Sequence, residues 1–215
     1  MDVLDNQPQN QVPSLRQRIK AASRGTHDKL DSDSISVELL SGHAKMASYQ
    51  EFLCRTYGFL QPIEELLFAE NVTKLAVPFW APTERRTPKL IEDLHNCGIT
   101  DEQIRSLPKL SELPDISTRG HLMGAAYVIE GSAMGGLVLA KPVRKSLVLA
   151  PNQMSFFVSD EPRNVVRKFE QFAEALDGFA FCDCDEKDAL DAALQTFEII
   201  DRWFQSWKTP AFLIS

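Results

Sequence analysis

A long apolar run that contains four glycines constrains this chain more than any other segment. It extends from Leu122 to Leu139 and carries one charged residue, Glu130, near its middle. The run is long enough to span a membrane, but a charge at bilayer depth costs several kcal/mol. We therefore predict a buried helix of a soluble protein. It should begin near Thr118 and end or kink at Lys141-Pro142, because proline removes a backbone donor.

Three of these glycines, Gly124, Gly131 and Gly135, lie on one face of the predicted helix. Each glycine costs about 0.5–1 kcal/mol relative to alanine in a helix interior, a cost that close backbone approach normally offsets. Two explanations remain open: tight packing against another helix, or backbone lying directly over a flat cofactor. Phosphate and dinucleotide fingerprints do not fit, because no strand precedes the glycines.

Composition indicates one soluble domain. At 215 residues, with 44% hydrophobic residues, the chain is long enough for one substantial core. A net charge of -7 argues against a general nucleic-acid binder. The four cysteines are too scattered for a disulfide framework, and Cys182-Asp-Cys184 lacks the spacer of redox and zinc motifs, so we expect it to be incidental. Without an N-terminal signal pattern, the expected location is the cytoplasm.

Apolar spacing predicts an all-α fold. Residues 1–13 are polar and read as a disordered tail, 14–208 as the helical domain, and 209–215 as a C-terminal tail. Ser14 and Thr100 each begin a capping box, and the segment 31–34 breaks the first helix. Further helices are expected over 37–71 (interrupted near Tyr57-Gly58 and Pro62), 88–95, 162–176 and 187–207, with a loop over 77–82.

The first helix brings one histidine and two cations to a single face. His27 follows Lys20 by seven residues and Arg24 by three, and these offsets align side chains along a helix. A neutral imidazole is a good iron ligand, and no nearby histidine or cysteine supplies zinc spacing. Either these are ordinary surface groups, or they form a cradle for a ligand with a metal at its centre and carboxylates at its edge.

At these segments the chain resembles the haem oxygenases. Residues 15–30 resemble the family's proximal helix, 49–64 a second characteristic block of its bacterial branch, and 127–136 that branch's distal-helix signature. Residues 192–203 resemble the last helix. The Glu-Gly-Ser-x-x-Gly-Gly motif is most similar to the bacterial subgroup often associated with bacteriophytochromes. The resemblance implies a single-domain multi-helical bundle, with haem between the first helix and a kinked glycine-rich distal helix.

The resemblance also implies which residues bind haem. His27 would be the axial ligand of the haem iron, and Lys20 and Arg24 would contact the propionates. Tyr127, Gly131, Gly135 and Phe197 complete the implied set, with the two glycines over the distal face and Phe197 against the macrocycle. Arg167 and Lys168 are candidates for further propionate contacts.

One departure from the family pattern concerns proton delivery. Many haem oxygenases have an aspartate after the first distal glycine, whereas here Ser132 follows Gly131. Serine donates and accepts hydrogen bonds but has no carboxylate. The implied catalytic residues are therefore Ser132, Gly131 and Gly135, with backbone carbonyls and water completing the path.

The activity implied by the resemblance is oxidative opening of haem b by O2 to biliverdin, carbon monoxide and ferrous iron. Electrons must come from an external donor, a ferredoxin or other reductase, because the chain has no nucleotide fingerprint or iron–sulfur cysteine set. A bacteriophytochrome receiving biliverdin is a candidate partner; nucleic acid and membrane are not. Two alternatives remain: a haem protein for storage, transfer or sensing without turnover, and a helical protein of this fold that handles another small molecule.

Overall fold

The computed structural model describes residues 12–75, 77, 84–158, 162–180 and 182–214, and within them the fold is all-α, as predicted. The disordered tail expected over 1–13 and the loop over 77–82 lie almost entirely outside the described residues. The described helices are α1 Leu15–Asp31, α2 Ser34–Leu40, α3 Met46–Leu67, α4 Glu70–Thr73, α5 Thr87–Asn96, α6 Asp101–Ser106, α7 Arg119–Leu147, α8 Ser155–Val158, α9 Pro162–Gly178 and α10 Asp183–Ser206. Short 3-10 helices cover Pro151–Gln153 and Ala211–Leu213.

Side-chain caps place several helix starts where the sequence predicts them. Ser14 accepts a hydrogen bond from the Gln17 amide while the Gln17 side chain accepts from the Ser14 amide, which closes the predicted capping box. Thr100 does the same at the start of α6. Asp33 caps α2, two residues after α1 ends at Asp31. These local signals do not depend on tertiary contacts.

The predicted interruption of α3 near Gly58 and Pro62 is wrong, because α3 runs unbroken through both residues. Pro62 has no N–H to donate to the Gly58 carbonyl one turn earlier, but that carbonyl accepts from the Leu110 amide at 2.8 Å instead. The Trp203 ring and a backbone carbonyl occupy the space that a Gly58 side chain would need. The chain breaks earlier, at Gly42, whose φ of +76° ends α2.

The glycine-rich helix α7 is longer than predicted. It continues through Pro142 to Leu147 and stops at Val148, whose φ is 50°. The carbonyl left without a helical donor by Pro142 belongs to Val138, an exposed residue, so water can satisfy it. Within the described chain, α7 is the helix long and apolar enough to cross a membrane, but half of its apolar stretch is buried against other helices.

Helix α10 is the central element of the part of the bundle that contains the site. It packs against α7 on one side and α1 on another, and α9 also contacts both of these helices. Gly120 and Gly124 allow the closest approach, since a β-carbon at either position would run into the α10 backbone near Asp185 and Ala189. α10 begins at Asp183, four residues before the predicted start.

The cysteine prediction needs a correction at the start of α10. Cys182 and Cys184, expected to be incidental, are joined by a disulfide. A bridge across one intervening residue matches neither the redox nor the zinc spacing, which is why the sequence did not indicate it. Cys54 and Cys97 are free and buried in the core.

Candidate functional site

Contacts along α10 fix the relative level of the two helices that carry the predicted site. On α7, Gly120 lies against Asp185 and Asp188, and one turn later Gly124 lies against Ala189 and Ala193. The two helices are therefore parallel and advance together. Because each residue rises by 1.5 Å, the same register places Gly131 about level with Phe197.

Helix α1 follows α10 in the same direction. Near its start Arg18 forms an ion pair with Glu186, and near its end the His27 ring lies 6.1 Å from the Phe197 ring in an edge-on arrangement. His27 on α1 and Gly131 on α7 therefore both lie at the level of Phe197. Sequence spacing alone cannot predict that these three residues lie at one level, because this depends on how α1 and α7 are each aligned with α10.

Little fills the space beside the distal glycines. Within the described part of the chain, a β-carbon at Gly135 would have no atom within 4 Å, and one at Gly131 would make only an ordinary contact, 3.6 Å from Cε2 of Phe169. The two explanations of the glycine face thus apply at different places. Gly124 serves helix packing, whereas Gly131 and Gly135 leave the α7 backbone open to an approaching group.

Among the described residues, the His27 imidazole has a hydrogen-bonding partner at one of its two nitrogens. Nδ1 lies 3.1 Å from a carboxylate oxygen of Asp31, one turn later on α1, and the side chain is 56% exposed. An Nδ1 partner of this kind fixes the ring and leaves Nε2 available to a ligand. By contrast, His95 uses Nε2 to contact Asp101 at 2.8 Å.

The two predicted cations are exposed on the same helix. Lys20 has no described ion pair, and Arg24 lies 3.9 Å from Asp28 with its side chain 83% exposed. Both are free to turn toward an anionic ligand at low cost, because exposed ion pairs contribute little. The structure keeps them with His27 on one face, as the spacing predicts.

A third cation on this face was missed. Arg16, one turn before Lys20, donates its backbone N–H to Asp177 of α9 at 2.8 Å, and its guanidinium lies 3.6 Å from the same carboxylate. Burial raises the pKa of Tyr127, and the positive charge of Arg16 opposes that rise. The spacing of four residues from Lys20 was a usable signal. The Tyr127 ring packs 6.0 Å from Phe169.

Ser132 has a partner that the sequence did not suggest. Arg86 Nη1 donates to the Ser132 hydroxyl at 2.7 Å and to the Ile129 carbonyl at 3.3 Å, and the Ser132 hydroxyl donates to that same carbonyl at 2.7 Å. The guanidinium also lies 4.4 Å from the centre of the Phe156 ring. Burial lowers the pKa of Arg86, and nearby Glu64 and Glu130 oppose that shift. No local sequence motif indicates Arg86 as the partner of Ser132, because the two residues are 46 positions apart.

Two further charged residues, Glu130 and Lys168, belong to the surroundings of this segment of α7. Burial raises the pKa of Glu130, while the charges of Arg86 and Lys168 oppose the rise. Lys168 also lies 3.4 Å from Glu84, and Arg167 donates to Asn164 at 3.5 Å on its own helix. Arg167 and Lys168 are exposed.

Comparison with known proteins gives a consistent result. The family model described as heme oxygenase matches residues 13–206. The heme oxygenase of Xanthomonas campestris pv. campestris (strain 8004) is 32% identical over 134 residues, which cover 62% of this chain and 76% of that protein. Among solved structures, heme oxygenase from Leptospira interrogans has a TM-score of 0.67 at 20% identity, covering 91% of this chain and 100% of that one. The NO- and CO-bound heme oxygenase from Neisseria meningitidis has a TM-score of 0.67 at 18% identity, covering 93% and 98%.

The structural likeness at these identities establishes the fold, and the family match adds the relationship, because it extends over the helices that carry the predicted site. On this evidence the chain is a member of the haem oxygenase family.

Proposed function

We propose that this protein is a haem oxygenase that opens haem b to biliverdin, carbon monoxide and ferrous iron. The observation that carries the proposal is the shared level of His27, Phe197 and Gly131 along α10. A ligating nitrogen, an aromatic wall and an open backbone at one level suit a flat, apolar cofactor with a metal at its centre.

The residues present fit haem. His27 would offer Nε2 to the iron, and Asp31 contacts Nδ1 and would orient the ring. A haem edge carries two carboxylates, and Lys20, Arg24 and Arg16 offer cations on the same face of α1. Gly131 and Gly135 present backbone rather than side chain to the opposite face. When bound, haem supplies both the iron that activates O2 and the ring that is opened.

Proton delivery on the distal side rests on Arg86 and Ser132. The Ser132 hydroxyl donates a hydrogen bond to the Ile129 carbonyl and accepts one from Arg86. One lone pair of its oxygen is left to accept a hydrogen bond from water. Arg86 therefore acts as a positioning residue: its guanidinium holds the hydroxyl, and a water at the remaining lone pair donates a hydrogen bond to Ser132. Donation by Ser132 itself requires the hydroxyl to turn away from Ile129.

The same proposal includes the partners. Cys54 and Cys97 are buried singly and Cys182 is bonded to Cys184, so the described cysteines do not form an iron–sulfur set. Electrons then come from a separate donor, a ferredoxin or other reductase, in the cytoplasm. A bacteriophytochrome is the proposed recipient of biliverdin.

The engagement of Ser132 favours a second candidate function. With its hydroxyl proton already donated to the Ile129 carbonyl, and serine where the family often has aspartate, the same pocket suits a protein that holds haem without turnover. This candidate predicts the same haem affinity and no ring opening.

Haem reconstitution followed by turnover separates these candidates. The protein is titrated with haemin, freed of excess, and supplied with ascorbate and O2 in the presence of catalase, which removes peroxide that would attack haem without enzyme control. The enzyme predicts loss of the Soret band and biliverdin in the chromatogram. A stable Soret band without biliverdin would establish the binding protein, and failure to bind haemin would refute both.

A further inference from the structure

The Cys182–Cys184 bridge lies at the start of α10, on the protein surface. Both cysteines are exposed, and the bridge encloses a single residue. The Cys182 sulfur also accepts a hydrogen bond from the Asp185 amide at 3.4 Å, so Cys182 is the N-terminal cap of a 24-residue helix. One disulfide sulfur therefore takes part directly in the hydrogen bonding of the first turn.

The first turns of α10 join the two helices that flank the site. Asp185 pairs with Arg119 of α7 at 3.3 Å, and Glu186 pairs with Arg18 of α1. Thr118, the cap of α7, donates to Asp188 at 2.8 Å. A change in the order of this turn acts on both α1 and α7, which otherwise meet chiefly through α10 and α9.

The four cysteines differ sharply in reactivity. Cys54 and Cys97 are buried, and burial raises the pKa of the first thiol to about 12 and of the second to about 11. Neither presents a thiolate near neutral pH, and thiolate is the form that exchanges with disulfides. The exposed pair is thus the selective site of thiol chemistry in this protein.

We propose that Cys182–Cys184 is a reversible redox site whose reduction loosens the first turns of α10. Opening transfers two electrons and two protons from a small dithiol, which leaves as its cyclic disulfide, and yields two protein thiols. Oxidised glutathione reverses the step: it accepts the two electrons and leaves as two molecules of reduced glutathione. The consequence is local because the bridge closes so short a loop.

Hydrogen exchange on the haem-free protein tests this proposal without involving the haem iron. The protein is equilibrated with oxidised glutathione or with dithiothreitol, and amide exchange over 183–189 is followed by mass spectrometry. Release of the freed Cys182 side chain from the cap, worth about 1 kcal/mol, predicts exchange about five-fold faster in the reduced state. The variant carrying both Cys182→Ser and Cys184→Ser is the matched control, and its exchange should be the same in either condition.

Alkylation supplies the second measurement. After native reduction, iodoacetamide should label Cys182 and Cys184 and leave Cys54 and Cys97 unlabelled until the protein is unfolded. Four free thiols in the protein equilibrated with oxidised glutathione would overturn the proposal. So would equal exchange rates in the two redox states. Neither result depends on whether the protein turns over haem.

Discussion

At the scale of single residues, the hydrogen bonds of Ser132 matter more than its position in the motif. The hydroxyl is fixed between Arg86 and the Ile129 carbonyl, so the charged group in direct contact with it is the guanidinium. Ser132, at the position where many haem oxygenases have aspartate, is thus hydrogen-bonded to a cation, Arg86, from a distant segment of the chain. The motif identifies the position, and only the folded chain reveals the partner.

This arrangement predicts unequal effects of two substitutions on biliverdin formation. Arg86→Met removes the charge and keeps an apolar stem, and we expect the single-turnover rate to fall about tenfold or more, toward the range of general acid–base contributions. Ser132→Ala should cost less, and the double variant should be no slower than Arg86→Met, since the pair acts as a unit. Urea unfolding controls for stability. Additive effects would show that the two residues act independently.

The cations of α1 give a second residue-scale prediction. Lys20→Glu should weaken haem binding about two- to five-fold, the range for a partly exposed ion pair, and should alter the biliverdin isomers if the carboxylate contact sets haem rotation. Lys29→Glu is the matched control, because Lys29 is an exposed lysine of the same helix outside the face shared by His27 and Lys20. Equal changes from both variants would indicate only a general charge effect.

At the scale of helices, the glycines of α7 divide into two functional sets. Gly135→Ala adds a β-carbon in open space in a helix without positive φ, so the haem-free protein should be unchanged or stabilised by about 0.4–1 kcal/mol. With haem present, the same β-carbon should lower the biliverdin yield. Melting temperature without haem and yield with haem are the two measurements.

Gly124→Ala is the matched control for that substitution. Its β-carbon would overlap the Ala189 carbonyl of α10, so we expect a loss of about 1–3 kcal/mol or more in the haem-free protein. A destabilised Gly135→Ala together with a tolerated Gly124→Ala would reverse the assignment of packing and site along this helix.

The junction of α5 and α8 predicts a pH-dependent stability. Asp93 is fully buried and accepts from the Ser155 and Phe156 amides, yet burial dominates and raises the pKa of its carboxyl from 3.8 to about 6. Between about pH 4 and pH 6, the Asp93 carboxyl is therefore protonated in the native state and ionised in the unfolded chain. This contribution to stability is present below about pH 4 and is lost as pH rises through 6, by up to about 3 kcal/mol.

Asp93→Asn isolates this effect, because asparagine cannot ionise. The free energy of unfolding of the variant, minus that of the wild type, should increase between pH 4 and pH 7, as measured by urea denaturation at each pH. The difference between the two proteins removes the background from other carboxylates. A difference independent of pH would show that Asp93 titrates normally.

Helix starts marked by a capping box were predictable from sequence, whereas the continuity of α3 was not. The Ser14 and Thr100 caps are local, whereas α3 continues through Pro62 because Leu110, far along the chain, satisfies the freed Gly58 carbonyl. Site residues on one helix, such as Lys20 and His27, share a face by periodicity alone. Arg86 and the disulfide could not be predicted because each depends on folded geometry.

At the scale of the whole molecule, α10 sets the level of the site. α1 and α7 run parallel to it, and contacts near its start fix where His27 and Gly131 lie near its middle. The net charge of -7 is compatible with the proposed propionate contacts, because Lys20 and Arg24 lie on one face of α1. The site is a property of three helices together.

The most direct test of this account is the absorption spectrum of the haem complex of His27→Ala. His95→Ala is the control, since that imidazole is also paired with a carboxylate but lies at the end of α5. We predict that His27→Ala loses the histidine-ligated spectrum and regains part of it when imidazole is added, while His95→Ala keeps the wild-type spectrum. An unchanged spectrum in His27→Ala would contradict the assignment of the site between α1 and α7.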